Sequence, residues 1–154
     1  MNEWNLTFFD KWNLIFTIQF VEVTEADIES KKLPIIFDDA FKVEKFVTDL
    51  SVPTTIEFLG DDLLVLQKND GKVRLIRDGI LQTEPVLDVE VSNYGERGLL
   101  GITSKDSTVY LFFTEAYHDG GLSLGNHVYA YTWNGEKLVE PRLVKALPGW
   151  TTGY

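Results

Sequence analysis

From about residue 41 onward the apolar residues of this chain recur at every second position, in short runs separated by turn residues. That alternation belongs to strands with one buried face and leaves little room for helices. TTIEFLG (54–60) breaks at Asp61-Asp62 and resumes as DLLVLQKN, and NDGK then leads into KVRLIRDG. Asp70-Gly71 between two alternating runs is a strong hairpin signal, because a type I′ turn needs φ > 0 at both central residues. VYAYTW meets Asn134-Gly135 and returns as EKLVEPRLV, a second hairpin of the same expected kind. TVYLFFTEA (108–116) is rich in β-branched and aromatic residues and is expected to be a buried central strand. Only TEADIESKK (24–32) has helical character, with Thr24 and Asp27 spaced as a weak capping box.

These strands fall into an all-β fold, and the hairpins at 70–71 and 134–135 hint at a repeating four-stranded unit. Propeller blades are four-stranded sheets of about 40–50 residues, and a closed ring needs about 4–8 of them. The 154 residues supply two to three blades, so a propeller implies an incomplete ring. The rival architecture is a self-contained β-sandwich of about seven short strands.

Composition narrows the function. A net charge of −10 argues against nucleic acid or an anionic membrane as the main partner, and otherwise serves solubility. With no cysteine, disulfides, thiolate zinc sites and a cysteine nucleophile are excluded. His118 and His127 are the only histidines, too few for a histidine-rich metal site. The stretch WNLIFTIQFVEV (12–23) has the apolarity of a signal-peptide core. Gln19 and Glu22 interrupt it, however, no A-x-A site follows, and it is too short to span a bilayer. A degraded secretion signal and an ordinary strand both fit, and residues 1–40 are read as an extension of unclear role. Asn5-Leu6-Thr7 matches a glycosylation acceptor, a triplet common by chance.

The densest chemistry lies in Gly95-Glu96-Arg97-Gly98-Leu99-Leu100-Gly101. Its glycines let the backbone bend sharply and let another group approach closely, while Leu99 and Leu100 anchor the turn. A carboxylate held there accepts hydrogen bonds from sugar hydroxyls, and a guanidinium contacts an anionic cofactor. The plainer alternative is a pair of solvated charges at a sheet rim. His118 beside Asp119 has the makings of a base, but no nucleophile stands at a recognisable spacing, so a surface loop is expected. His127 is expected to fill a half-buried position at the start of a strand. Asp38-Asp39 and Asp61-Asp62 lack the alternating acidic pattern of a calcium loop and read as turns. Trp12, Trp133 and Trp150 are expected in core or interface packing rather than stacked on sugars.

Several stretches together resemble the amino-terminal part of the glucose/sorbosone dehydrogenase family, the soluble quinoprotein sugar dehydrogenases. They are LSVPTTIEFLGDDLLVLQKNDGKVRLIRDG (50–79), PVLDVEV (85–91), GERGLLGI (95–102), VYLFFTEA (109–116), VYAYTW and LVKALPG (143–149). The resemblance covers residues 41–154, and GERGLLG is its most diagnostic piece. It implies the first blades of a six-bladed β-propeller that binds pyrroloquinoline quinone, with calcium supporting the cofactor, and that oxidises the anomeric carbon of an aldose. It further implies a sugar substrate, an electron acceptor, an extracellular or periplasmic location, and exposed blade edges prone to self-association. By the same resemblance Glu96 contacts substrate or quinone, where relatives often have glutamine, and Arg97 has a lesser role there. Two departures stand out. TSKDS follows GLLGI where relatives have a His-Pro pair, and the family's catalytic histidine falls after the LPG segment, so the base is expected beyond Tyr154. A non-catalytic propeller and a small β-sandwich module, binding carbohydrate or protein, are the alternatives.

Overall fold

Strands account for all the regular structure of the computed structural model, which describes residues 37, 38 and 40–147 together with the backbone of two earlier strands. Two units are distinguished, Met1–Phe46 and Val47–Tyr154. In the first, β1 (Trp4–Phe9) and β2 (Ile15–Phe20) pair antiparallel, in register from Trp4↔Phe20 to Phe9↔Ile15. The helix expected at 24–32, Asp39, Trp12 and Trp150 lie outside the described residues. Among the described residues no helix is long and apolar enough to cross a membrane.

The second unit holds two meandering sheets. The first runs β3 (Pro53–Leu59), β4 (Asp62–Gln67), β5 (Lys72–Arg77), and then a broken outer strand made of β6 (Ile80–Leu81) and β7 (Leu87–Asp88), both paired with β5. The second runs β8 (Leu99–Lys105), β9 (Thr108–Glu115), β10 (Gly125–Trp133) and β11 (Leu138–Leu147), in that spatial order. Every sheet is antiparallel and takes its strands in chain order. Among the described residues no strand of this unit crosses to the other sheet, as the Greek-key connections of a sandwich require. The arrangement is an all-β partial propeller with two blades described. From the start of β3 to the start of β8 is one blade repeat of the expected length, about 40–50 residues.

The hairpins are real, but their turns differ from the sequence expectation. Asp70-Gly71 closes a four-residue loop in which Gly71 alone of the pair has positive φ (61°). Asn134-Gly135 likewise sits in a four-residue loop, where Asn134 Oδ1 accepts from the amides of Glu136 and Lys137 instead of its backbone turning left-handed. The type I′ pattern occurs at Asp78-Gly79, with φ of 52° and 74°, between the paired residues Arg77 and Ile80. The two loops also join different strand pairs, second to third in one blade and third to fourth in the other. Their separation in the chain is therefore not the repeat.

Burial explains the blade order. The apolar run Leu64-Val65-Leu66 of β4 is buried on both faces, as expected of a strand covered on two sides. Leu64, Leu66, Val73 and Leu75 of the first blade meet Leu99, Val109, Leu111, Phe113, Tyr131 and Leu138 of the second in one core. Each such leucine contributes about 1.5–3 kcal/mol on leaving water. β9 is the buried central strand foreseen from TVYLFFTEA, and Trp133 packs against this core. The innermost strands touch: Thr54 and Thr55 donate their hydroxyls to Leu99 O (3.1 Å) and Leu100 O (2.8 Å). Ser104 Oγ donates to Glu57 Oε1 at 2.5 Å. Further out, the break in the first blade's last strand turns its carbonyls toward the second blade. Val86 O accepts from Leu138 N (3.1 Å) and Pro85 O accepts from Lys137 Nζ (2.6 Å).

Candidate functional site

Three loops gather at the end of the blades where β3 and β8 begin: 68–71, 89–98 and 116–124. In a propeller the first strands of the blades surround the central channel, so this end is a channel mouth. The loops are joined by backbone hydrogen bonds. Leu99 N donates to Lys68 O (3.0 Å), Val89 N to Gly71 O (3.1 Å), Ser92 N to Thr114 O (2.9 Å) and Gly120 N to Val91 O (2.9 Å). The contacts are close enough to exclude side chains. A Cβ on Gly71 would stand 1.6 Å from Val89 O, and one on Gly98, whose φ is 136°, 2.4 Å from Lys68 O. Asp119 Oδ1 accepts from Val91 N (2.9 Å), which ties the outer loop to the connection between blades.

Glu96 and Arg97 sit in this cluster. Residues 94–97 form a turn closed by Arg97 N donating to Tyr94 O (3.2 Å), and Lys68 Nζ clamps it through Gly95 O (2.6 Å). Glu96 is exposed and Arg97 half-buried, immediately ahead of the buried Leu99 that starts β8. The structure thus brings Glu96 and Arg97 to the mouth on a turn fixed from below. It does not bring the histidines to them as a group. His118 is exposed in its own loop, as expected, with Nδ1 3.0 Å from Asp119 O.

The acidic doublets behave differently from each other. Asp38 makes a turn, accepting from Ala40 N through Oδ1 and from Phe41 N through its carbonyl. Asp62 instead begins β4 and takes a two-pronged pair from Arg77 (2.7 and 2.6 Å), which corrects its reading as a turn residue. Its place opposite Arg77 follows from the β4–β5 register, Leu63↔Ile76, and is not visible in the doublet itself.

A second polar constellation escaped the sequence. His127 Nδ1 lies 2.5 Å from Glu115 Oε2, and the Tyr129 hydroxyl donates to the same oxygen at 3.0 Å. His127 is half-buried at the start of β10, as its position suggested. The signal that was available is register: with Gly125 opposite Glu115, residues 127, 129 and 131 fall on one face beside it.

The mouth is electrostatically negative. Burial raises the Asp88 carboxyl above its ordinary range; Lys72 opposes the shift, and Asp119, Asp70 and Glu90 reinforce it. Pyrroloquinoline quinone carries three carboxyl groups, and at this mouth the acidic residues Asp70, Asp88, Glu90, Glu96 and Asp119 outnumber the cations Lys68, Lys72 and Arg97, so the described residues alone do not fit it. No group of three or more histidine or acidic side chains suited to a metal occurs among the described residues, so calcium has no ligand set there either.

Neither the known family models nor the curated proteins contain a match to this chain. Solved structures do. A structure from Thermus thermophilus described as an oxidoreductase (glucose dehydrogenase) aligns with a TM-score of 0.58 at 33% identity, over 68% of this chain and 32% of that one. The likeness is to sugar dehydrogenases. The PQQ-bound form of aldose sugar dehydrogenase from Streptomyces coelicolor aligns with a TM-score of 0.56 at 26% identity, over 68% of this chain and 33% of that one. A further glucose dehydrogenase structure, at 22% identity and a TM-score of 0.53, shares the fold. The chain spans about a third of the length of each of these structures. Its described blades are thus structurally related to those of sugar dehydrogenases.

Proposed function

We propose that the chain is the first part of a sugar dehydrogenase-like propeller, and that Glu96 orients a sugar at the channel mouth. The observation that supports this most directly is the placement of the GERGLLG turn. Its first residues turn just ahead of the inner strand β8, its last three begin that strand, and Lys68 clamps the turn, so an exposed carboxylate is presented on a fixed backbone. Glu96 accepts hydrogen bonds from sugar hydroxyls, and Arg97 fixes the turn beside it. In this reading the whole protein oxidises the anomeric carbon of an aldose with a bound quinone, supported by calcium, outside the cytoplasm. The general base and the ligands of quinone and calcium come from beyond the described residues. The 154-residue chain by itself is expected to show no turnover.

The test uses a full-length protein that carries these residues, supplied with the quinone and calcium and assayed by dye reduction with a panel of aldoses. Misplacement of a bound substrate costs up to about 100-fold in rate, so Glu96→Ala should lower kcat/KM by about 10- to 100-fold while Glu96→Gln retains most of it. An unchanged kcat/KM in Glu96→Ala would remove Glu96 from the sugar contact. The acidic character of the mouth favours a second reading, a propeller that binds carbohydrate without oxidising it. Saturable sugar binding with no dye reduction, at any quinone concentration, selects that reading.

A further inference from the structure

The loop between β10 and β11 holds the chain's only Asn-Gly pair, Asn134-Gly135, and its geometry assembles the parts of a reaction. Asn134 is exposed, and its Oδ1 accepts from two backbone amides, Glu136 N at 2.9 Å and Lys137 N at 2.8 Å. A side-chain oxygen bonded to the amide two residues on folds over the peptide between, here the one that carries the Gly135 nitrogen. That nitrogen has no hydrogen-bond partner among the described residues. Gly135 has no side chain to shield it, and nothing stands within 4 Å of where a Cβ would be. Its carbonyl is pinned from the first blade, accepting from Arg77 Nη2 at 2.8 Å, while Arg77 is itself held by Asp62. Asn134 N donates to Lys137 O (3.2 Å), which closes the loop.

When the Gly135 nitrogen adds to Asn134 Cγ, negative charge develops on Oδ1, where two N–H donors already point. Preorganised backbone donors at a developing oxyanion lower the barrier, because nothing has to rearrange as the charge appears. Both reactants belong to one fastened loop, so little entropy is lost in bringing them together. The same two bonds also stabilise the starting amide. Hydrogen bonds to a charged oxygen are, however, roughly twice as strong as those to a neutral one, so the balance favours the addition. Collapse breaks the Cγ–Nδ2 bond, the proton lost from the Gly135 nitrogen leaves with Nδ2 as ammonia, and a five-membered succinimide remains. Water then opens either carbonyl of that ring, giving aspartate or isoaspartate at 134. Every other asparagine precedes a residue with a side chain, which crowds the attacking nitrogen. We propose that Asn134 is a self-modifying site: the folded hairpin promotes its own deamidation, with water as the only co-reactant. Isoaspartate inserts an extra carbon into the backbone just before Gly135. It therefore displaces Gly135 O from Arg77 and weakens the bond from Leu138 N to Val86 O between the blades (3.1 Å). Aspartate keeps its side-chain oxygen on both amides and leaves that contact in place.

The test incubates the 154-residue chain in mildly alkaline buffer and follows it by peptide mapping and mass spectrometry. The references are a synthetic peptide of residues 131–140 and the same chain unfolded in guanidinium chloride. Asn134 should deamidate in the folded chain about tenfold faster than in either reference, and ahead of every other asparagine. A folded rate equal to or below that of the peptide, or an earlier loss at another asparagine, overturns the proposal. The effect on the blades is read from the aged material. In the isoaspartyl fraction, separated by ion exchange, the Leu138 amide should exchange with deuterated water faster than in the parent. The variant Asn134→Asp, which has no ammonia to lose, should exchange it as the parent does. Equal protection of Leu138 in the isoaspartyl fraction overturns the link from this loop to the blade interface.

Discussion

The two blades follow one meander and finish it differently. The first ends in a broken strand, β6 and β7, whose gap at residues 82–86 lends carbonyls to its neighbour. The second ends in β11, ten residues long and exposed along nearly all its length. At the loop end the two blades are fastened backbone to backbone, with no room for a Cβ at Gly98 against Lys68, and within the first blade none at Gly71 against Val89. At the outer edge the second blade meets solvent with Leu143 48% exposed. Precision in this molecule is therefore concentrated where the inner strands start, and the outer edge is tolerant.

That contrast is testable by substitution. The largest effect is expected at the loop end. Gly71→Ala forces a Cβ into Val89 O at a positive φ, and urea titration should show a loss on the order of 3–5 kcal/mol, in the tail of single-residue effects. The same change at Gly60, where nothing stands within 4 Å, meets only the backbone cost and serves as the control.

The next effect is a pH dependence. Burial pushes the Tyr131 phenol up to about 12. The folded protein therefore holds that proton where the unfolded chain, near the ordinary tyrosine value of about 10, releases it. Between those values the native state binds more protons than the unfolded one, so stability is intact below about pH 10 and falls as pH rises toward 12. Ultraviolet titration should find Tyr131 ionising late, alongside Tyr129, whose phenol is also raised by burial and by its bond to Glu115, and Tyr131→Phe should remove its own late step and its share of the alkaline loss.

Smaller effects are expected between the inner strands. Thr54→Val and Thr55→Val each remove a hydroxyl from Leu99 O or Leu100 O and should cost about 1 kcal/mol apiece in urea titration. Least of all, Leu143→Asp on β11 should change stability by no more than about 0.5 kcal/mol. Its readout is sedimentation: the parent chain should self-associate through this edge and the variant less so. A large loss of stability from Leu143→Asp, with little from Gly71→Ala, would reverse the contrast.

Strands were legible here because alternation is a local property. β4, β5, β9 and β10 stand where the apolar periodicity put them, and Phe113, Leu111 and Val109 face the core as TVYLFFTEA suggested. Turn chemistry was half legible. Asp-Gly does make a two-residue turn, but at 78–79; at 70–71 the loop is widened, and Gly71 is shaped by its contact with Val89 rather than by the hairpin. The GERGLLG turn was visible as a special backbone because its glycines, 95, 98 and 101, recur at every third position. The Glu115–His127–Tyr129 group was not, since it exists only once Gly125 is placed opposite Glu115. The acidic mouth was hidden for the same reason: Asp70, Asp88, Glu90 and Asp119 are scattered in the chain and meet only when three loops close together.

The hydrogen bonds that pass from blade to blade have a consequence for isotope exchange. Leu99 donates its amide to Lys68 and Leu138 donates its amide to Val86, so neither proton can be freed by fraying of one sheet alone. In deuterated water both should exchange only through opening of the whole second unit, at the same rate as the core of β9. The outward-facing amides of β11 should be deuterated long before them. Two protons at opposite ends of the interface then clock one event, the parting of the blades.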